Sequence, residues 1–185
     1  MLTFGSKNVK IIKRFENRYK KVSNIKKDVR IKIHSELYDV DASLFSDEEV
    51  DLNNVPVSEE TPEPDIFDMN SIGIYTDDGE RISISYNESE ATGMEGSTTT
   101  ITFLKSEPTI VSMIREGAVS TTLVFENGKR HHCIYKTPIM PFEICVRTLK
   151  VENSLSGVGI LSLDYIVELR GAKAERTKFS MQLLN

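Results

Sequence analysis

Two clusters in this 185-residue chain hold side chains whose types and spacing could do chemistry. The first is the stretch from Tyr86 to Gly96, which crowds Glu88, Glu90 and Glu95 into one connection. Paired carboxylates can serve as acid and base in glycosidase-like chemistry when they sit about 5 to 9 Å apart across a cleft. Carboxylates in a turn more commonly accept hydrogen bonds from nearby N–H groups or pair with an arginine. The second cluster is His131-His132-Cys133. On a strand His131 and Cys133 share a face, and Cys145 is expected across the hairpin from Cys133, since both stand six residues from Ile139. Zinc asks for four N or S ligands, or three and a water. A buried cysteine, however, usually serves as a small hydrophobe, and no metal is assigned here.

The remaining enzyme signatures are missing from the sequence. None of its three histidines (34, 131 and 132) belongs to a nucleophile motif, and there is no Gly-x-Ser-x-Gly, phosphate loop or dinucleotide fingerprint. No catalytic residue and no cofactor are therefore assigned, and a non-enzyme is favoured. A weak enzyme using Glu88, Glu90 and Glu95 is the third choice.

These clusters are positioned by strands. From Asn70 onward, short apolar-alternating runs are separated by turn residues, giving predicted strands over 70–76, 80–88, 98–105, 109–116, 118–126, 130–137, 142–151, 157–169 and 175–184. Asn127-Gly128 is the strongest hairpin signal among the separators, because a type I′ turn needs positive φ at both central residues. Gly93 and Gly96 give the carboxylate-rich turn its backbone freedom. Val29, Ile31 and Ile33 alternate with Arg30, Lys32 and His34 as a first strand. About ten antiparallel strands with turns every 8 to 12 residues predict a sandwich or barrel.

Parity assigns the faces. Ile82, Ile84 and Tyr86 share one with Glu88; Val119, Leu123 and Phe125 share one with Thr121; Leu161, Leu163, Tyr165 and Val167 oppose Ser162, Asp164 and Glu168. Phe179, Met181 and Leu183 close the set.

Charge divides the chain further. Residues 1–27 carry nine Lys/Arg against one acid, and residues 39–68 carry eleven acids and no base, within a net charge of −5. The first block spaces Val9, Ile12, Phe15, Tyr19 and Val22 as a basic amphipathic helix or arm for RNA, anionic lipid or an acidic protein, and a nucleic-acid or protein interaction module acting through it is the second choice of function. The second block is expected to be a disordered acidic loop interrupting a barrel domain over 28–185. No run of about 18 apolar residues predicts a membrane span, and no secretory signal is read at the N-terminus, so a cytoplasmic location with two free thiols is expected.

Several short motifs in order carry a resemblance: Tyr86 with Glu88-Ser89-Glu90, Thr92-Gly93-Met94-Glu95-Gly96, Arg115 with Gly117, Phe125-Glu126 with Gly128-Lys129-Arg130, Tyr135 with Thr137-Pro138, and Thr148. In these the chain resembles the YwiB-like family of uncharacterised bacterial proteins, from about residue 28 to the end. The resemblance implies an antiparallel, calycin-like (lipocalin-related) β-barrel of about 8 to 10 strands and no established activity. The basic arm and the acidic stretch look like additions to the family's compact domain. Barrels of this size are either filled by side chains or hold one small ligand. Parity or resemblance places Tyr86, Glu88, Arg115, Tyr135, Thr148 and Tyr165 inside or at the mouth. The leading expectation is thus a non-catalytic module binding a small, partly apolar ligand, with Glu88 and Arg115 at its polar end.

Overall fold

The computed structural model describes residues 24–40, 63–169 and 174–184. Ten antiparallel strands account for most of them: β1 (Ile25–Val40), β2 (Asp65–Asp77), β3 (Arg81–Asn87), β4 (Ser97–Leu104), β5 (Glu107–Gly117), β6 (Thr121–Phe125), β7 (Arg130–Lys136), β8 (Pro141–Asn153), β9 (Ile160–Leu169) and β10 (Ala174–Leu184). They form one sheet in the order β6-β5-β4-β3-β2-β1-β10-β9-β8-β7. A 3₁₀ turn over Glu90–Thr92 is the one helical element among the described residues. None of these residues forms a helix long and apolar enough to cross a membrane.

The sheet curls until its two edges, β6 and β7, meet. A single bridge joins them, with Ser120 and Lys136 exchanging N–H···O bonds at 3.0 and 2.9 Å. The barrel is therefore nearly closed. Asn127-Gly128 does lie in the connection between these strands, yet no β6–β7 ladder forms beside it. No described residue other than glycine has positive φ, so the expected type I′ turn is absent. Instead the connection docks on β8. The Val151 amide donates to the Asn127 side-chain oxygen at 2.6 Å, the Gly128 amide to the Thr148 carbonyl at 3.0 Å, and the Glu126 amide to the Thr148 hydroxyl at 3.3 Å. These bonds sit beside a β-bulge between Thr148 and Lys150, where two residues of β8 oppose one of β9.

Other boundaries also move. β1 takes in Ile25–Lys27, which the charge pattern assigned to the basic arm. Asp39 and Val40 extend β1, and Asp65–Asp68 open β2, so both ends of the expected acidic loop are strand. Ladder pairing overrides composition there: Glu36, Ser35 and His34 face Ile66, Phe67 and Asp68 in register. The amphipathic pattern over 9–22 and the middle of the acidic stretch, 41–62, lie outside the described residues.

Inside, alternation works as expected on most strands. Ile31, Ile82, Ile84, Ile101, Val111, Met113, Phe125, Leu161, Leu163 and Met181 are fully or almost fully buried. This packing fills the half of the barrel nearer the 77–80, 104–107 and 126–129 turns. Leu155, 3% exposed, plugs that end from the β8–β9 connection, and the Asn153 side chain ties it to the Pro108 carbonyl at 2.8 Å. β9 breaks the pattern. Glu168, expected on the polar face, is buried, and so is Ile166 two residues before it, which joins Cys145 and Ala174 in a small cluster apart from the main core.

Candidate ligand cavity

At the other end the barrel is hollow. Tyr86 comes up on β3 with Glu88 just past its end, the chain makes its 3₁₀ turn, and Gly93 (φ +67) and Gly96 (φ +80) bend it back into β4. Only glycine adopts those angles without strain. The turn lies over a cavity of about 710 Å³ and contributes Thr92, Gly93 and Met94 to its lining. Apolar walls come from Phe67 and Met69 on β2, Leu123 on β6, Phe142 and Ile144 on β8, and Phe179 on β10, with others. Tyr135 on β7 reaches across the top, its hydroxyl 3.9 Å from the Met94 sulfur.

One polar cluster occupies the cavity floor. The Glu88 side chain is 2% exposed and the Arg115 side chain 14%, with Arg115 Nε 3.6 Å from Glu88 Oε1. Thr99, opposite Arg115 on the neighbouring strand, sits between them. Its hydroxyl donates to Glu88 Oε1 at 2.5 Å and accepts from Arg115 Nε at 3.3 Å. Burial pushes the Tyr86 phenol far above its ordinary pKa, and the Glu88 charge adds to this. Burial raises the Tyr165 phenol likewise, with Thr177 as its side-chain partner. The Tyr165 ring also packs on Phe125, centroids 4.7 Å apart. Both tyrosines are therefore neutral hydroxyls. Asp65 on β2 and Glu175 on β10, both exposed, complete the charged lining. Partial burial, then Asp39 and Asp65, raise the Glu175 carboxyl above the usual range.

Of the six residues singled out from the sequence, Tyr86, Glu88, Arg115, Tyr135 and Tyr165 line this cavity. Thr148 does not. It is fully buried, and its backbone and hydroxyl hold the 126–129 turn. Glu90 and Glu95 are exposed on the turn and also stay out of the lining, so the three carboxylates do not converge. The His/Cys trio does not assemble either. Cys133 pairs with Ile144, and Cys145 pairs with His132, one residue away from the expected register. That offset sends the two thiols to opposite faces of the sheet. Burial raises the pKa of both, which marks unreactive thiols. Among the described residues no group of three or more His, Cys, Asp or Glu could hold a metal ion.

Sequence reading missed Asp65 and Phe67, because they sit in a stretch whose composition resembles a loop. It also missed Thr177, although parity from Phe179 on β10 points straight to it.

Fold and cavity together define a nearly closed, ten-stranded antiparallel barrel with a half-hollow interior. A family model described as a domain of unknown function (DUF1934) matches residues 50–181, and the chain belongs to that family. The match begins inside the acidic stretch. The crystal structure of the YwiB protein from Bacillus subtilis is similar in fold, with TM-score 0.59 and 15% sequence identity, covering 85% of this chain and 94% of that one. No curated protein matches the chain.

Proposed function

We propose that the barrel is a non-catalytic, cytoplasmic module that binds one small, partly apolar ligand in the cavity beneath the 88–97 turn. The observation that carries this reading is the cavity itself. Its volume of about 710 Å³ lies within the ~300–1,000 Å³ of ordinary small-molecule sites, and it is walled by apolar side chains around a few convergent polar ones. A barrel serving only as a scaffold would gain by filling that space, since empty apolar volume forfeits contacts and stability. Arg115 and Glu88 fix the polar end, while Tyr86, Tyr135 and Tyr165 supply neutral hydroxyls and ring surface.

The test is native mass spectrometry of protein purified from its own cytoplasm, beside a Val167→Phe variant that narrows the cavity from β9. A discrete co-purifying mass on the wild type, lost from the folded variant, is the expected result. Absence of any companion mass, together with unchanged unfolding of the wild type across a library of small amphiphiles, would reduce the barrel to a structural or protein-interaction module.

A further inference from the structure

The cavity floor holds a hydrogen-bond donor edge with no acceptor among the described residues, and this narrows what the proposed ligand can be. Arg115 carries five N–H groups. Among the described residues its Nε is taken by Thr99 at 3.3 Å, and Nη2 reaches the Met113 sulfur at 3.4 Å, a weak acceptor. No described residue accepts from Nη1. The Nη1/Nη2 edge of the guanidinium, the end that can grip a ligand with two parallel bonds, is thus open on a side chain that lines the cavity. The two phenols do not select a charge, because burial keeps both neutral and each can give or accept a bond.

Open donors would ordinarily invite an anion, but the charge balance opposes one. Glu88 lies 3.6 Å from Arg115 Nε and offsets its charge. The charged side chains of the described lining are Asp65, Glu88 and Glu175 against Arg115 alone. A carboxylate or phosphate entering this space would be a buried charge whose one cation is already matched, which is unfavourable. A cation placed at the same end meets a guanidinium of its own sign, which has no acceptor to give it; the carboxylates that could hold one, Asp65 and Glu175, are exposed to water and away from the open edge, so a cation there leaves that edge unfilled. A group that accepts two N–H bonds and carries no charge satisfies the open edge at no electrostatic cost.

We infer that the cavity, in the ligand-binding role set out above and resting on that reading, takes an uncharged amphiphile. Its polar end is of the carbonyl type, an amide, ester or ketone oxygen accepting from Nη1 and Nη2 of Arg115. Its apolar body lies against Phe67, Leu123 and Phe142.

Three probes with the same decyl chain separate the possibilities by isothermal titration on the full chain: decanamide, decanoate and decyltrimethylammonium. The expected result is that decanamide binds about tenfold or more tightly than either charged probe, the factor carried by about one well-made hydrogen bond. Decanoate or decyltrimethylammonium binding as tightly as decanamide would overturn the assignment of an uncharged ligand while leaving a binding cavity in place. Binding of none of the three would overturn the ligand reading with it. A double variant, Glu88→Gln with Arg115→Leu, leaves no unpaired carboxylate on the floor. If it folds, decanamide should lose about tenfold in affinity, and unchanged affinity would remove Arg115 from the proposal. If it does not fold, the wild-type series alone decides between the three charge classes.

Discussion

Thr99 does two jobs with one hydroxyl: it gives its proton to Glu88 and receives the Nε–H of Arg115. Replacing it with valine keeps the shape and removes both bonds, leaving a buried carboxylate with a poorly aligned partner at 3.6 Å. Thr99→Val is expected to lose about 1–3 kcal/mol of stability, read as a fall in urea midpoint with unchanged slope. Thr99→Ser should recover most of that loss. A second polar site lies on the outer face, where His34 Nδ1 is 3.0 Å from Asp68 and Nε2 is 3.4 Å from Glu36, which also receives the Tyr38 hydroxyl and faces Lys178. Hydrogen bonds to Asp68, then Glu36, raise the His34 pKa above its usual value. The contribution is therefore complete below about pH 6.5 and fades as pH rises through the raised value. The stability difference between wild type and His34→Asn should shrink as pH rises above about 6.5 in urea titrations. An unchanged gap would mean that protonated His34 gains nothing from its carboxylates. The ring is 36% exposed, so the effect is a small one.

Much of the cavity floor was legible at this scale, because parity along β3, β5, β7 and β9 is a local property that survives into the barrel. Tyr86, Glu88 and Tyr165 needed only alternation and the neighbouring apolar residues. Thr148 has the inward parity expected of it, opposite Tyr165 and in step with Phe142 and Ile144, but it sits fully buried against the 126–129 turn rather than on the cavity, and alternation gives the face of a strand without the depth along the barrel. Cys133 and Cys145 failed for a different reason. A one-residue error in the centre of the 137–140 turn is invisible in the sequence but decides which face each thiol takes.

At the level of elements, the connections carry what the strands do not specify. Gly117 ends β5 with φ +129, and a Cβ there would collide with the Gly96 carbonyl oxygen. The strand end and the turn over the cavity are thus pressed backbone to backbone. Gly117→Ala should cost about 1–3 kcal/mol from the dihedral alone, with more from the clash. It should also loosen the 88–97 turn, seen as faster amide exchange at Glu88, whose N–H donates to the Ser97 carbonyl at 2.9 Å, and at Ser97, whose N–H donates to the Met94 carbonyl at 3.1 Å. Protection at Glu88 equal to wild type would show that the turn is held independently of β5. The 126–129 connection shows the limit of local propensity. Asn127-Gly128 is as good a hairpin signal as sequences offer, yet the Asn127 side chain satisfies the Val151 amide and β6 and β7 part on either side. The signal located a turn and misjudged its partner, because the partner is β8 and lies across the closing seam.

For the whole molecule, all-β class and strand number could be read from turn spacing, whereas closure could not, since strand order depends on contacts between distant parts of the chain. The acidic stretch tests how separable the parts are. β1 and β2 pair continuously from Ile25 with Asp77 to Leu37 with Asp65. Replacing residues 41–62 with a short turn is therefore expected to leave one cooperative unfolding transition at a similar midpoint. Loss of cooperativity in the shortened chain would show that this segment takes part in the fold.

The strand order has a consequence for biosynthesis. β1 and β10, the first and last strands among the described residues, lie side by side in the middle of the sheet, Arg30 against Leu184. As the chain leaves the ribosome, β1 through β6 can assemble as a meander, but one long side of β1 stays bare until the final strand has been translated. A row of unsatisfied N–H and C=O groups on such a strand is a template for pairing with other chains. A ribosome stalled before β10 would release a sheet open at its centre. Completing the last strand joins the two halves of the barrel and covers that edge in one event.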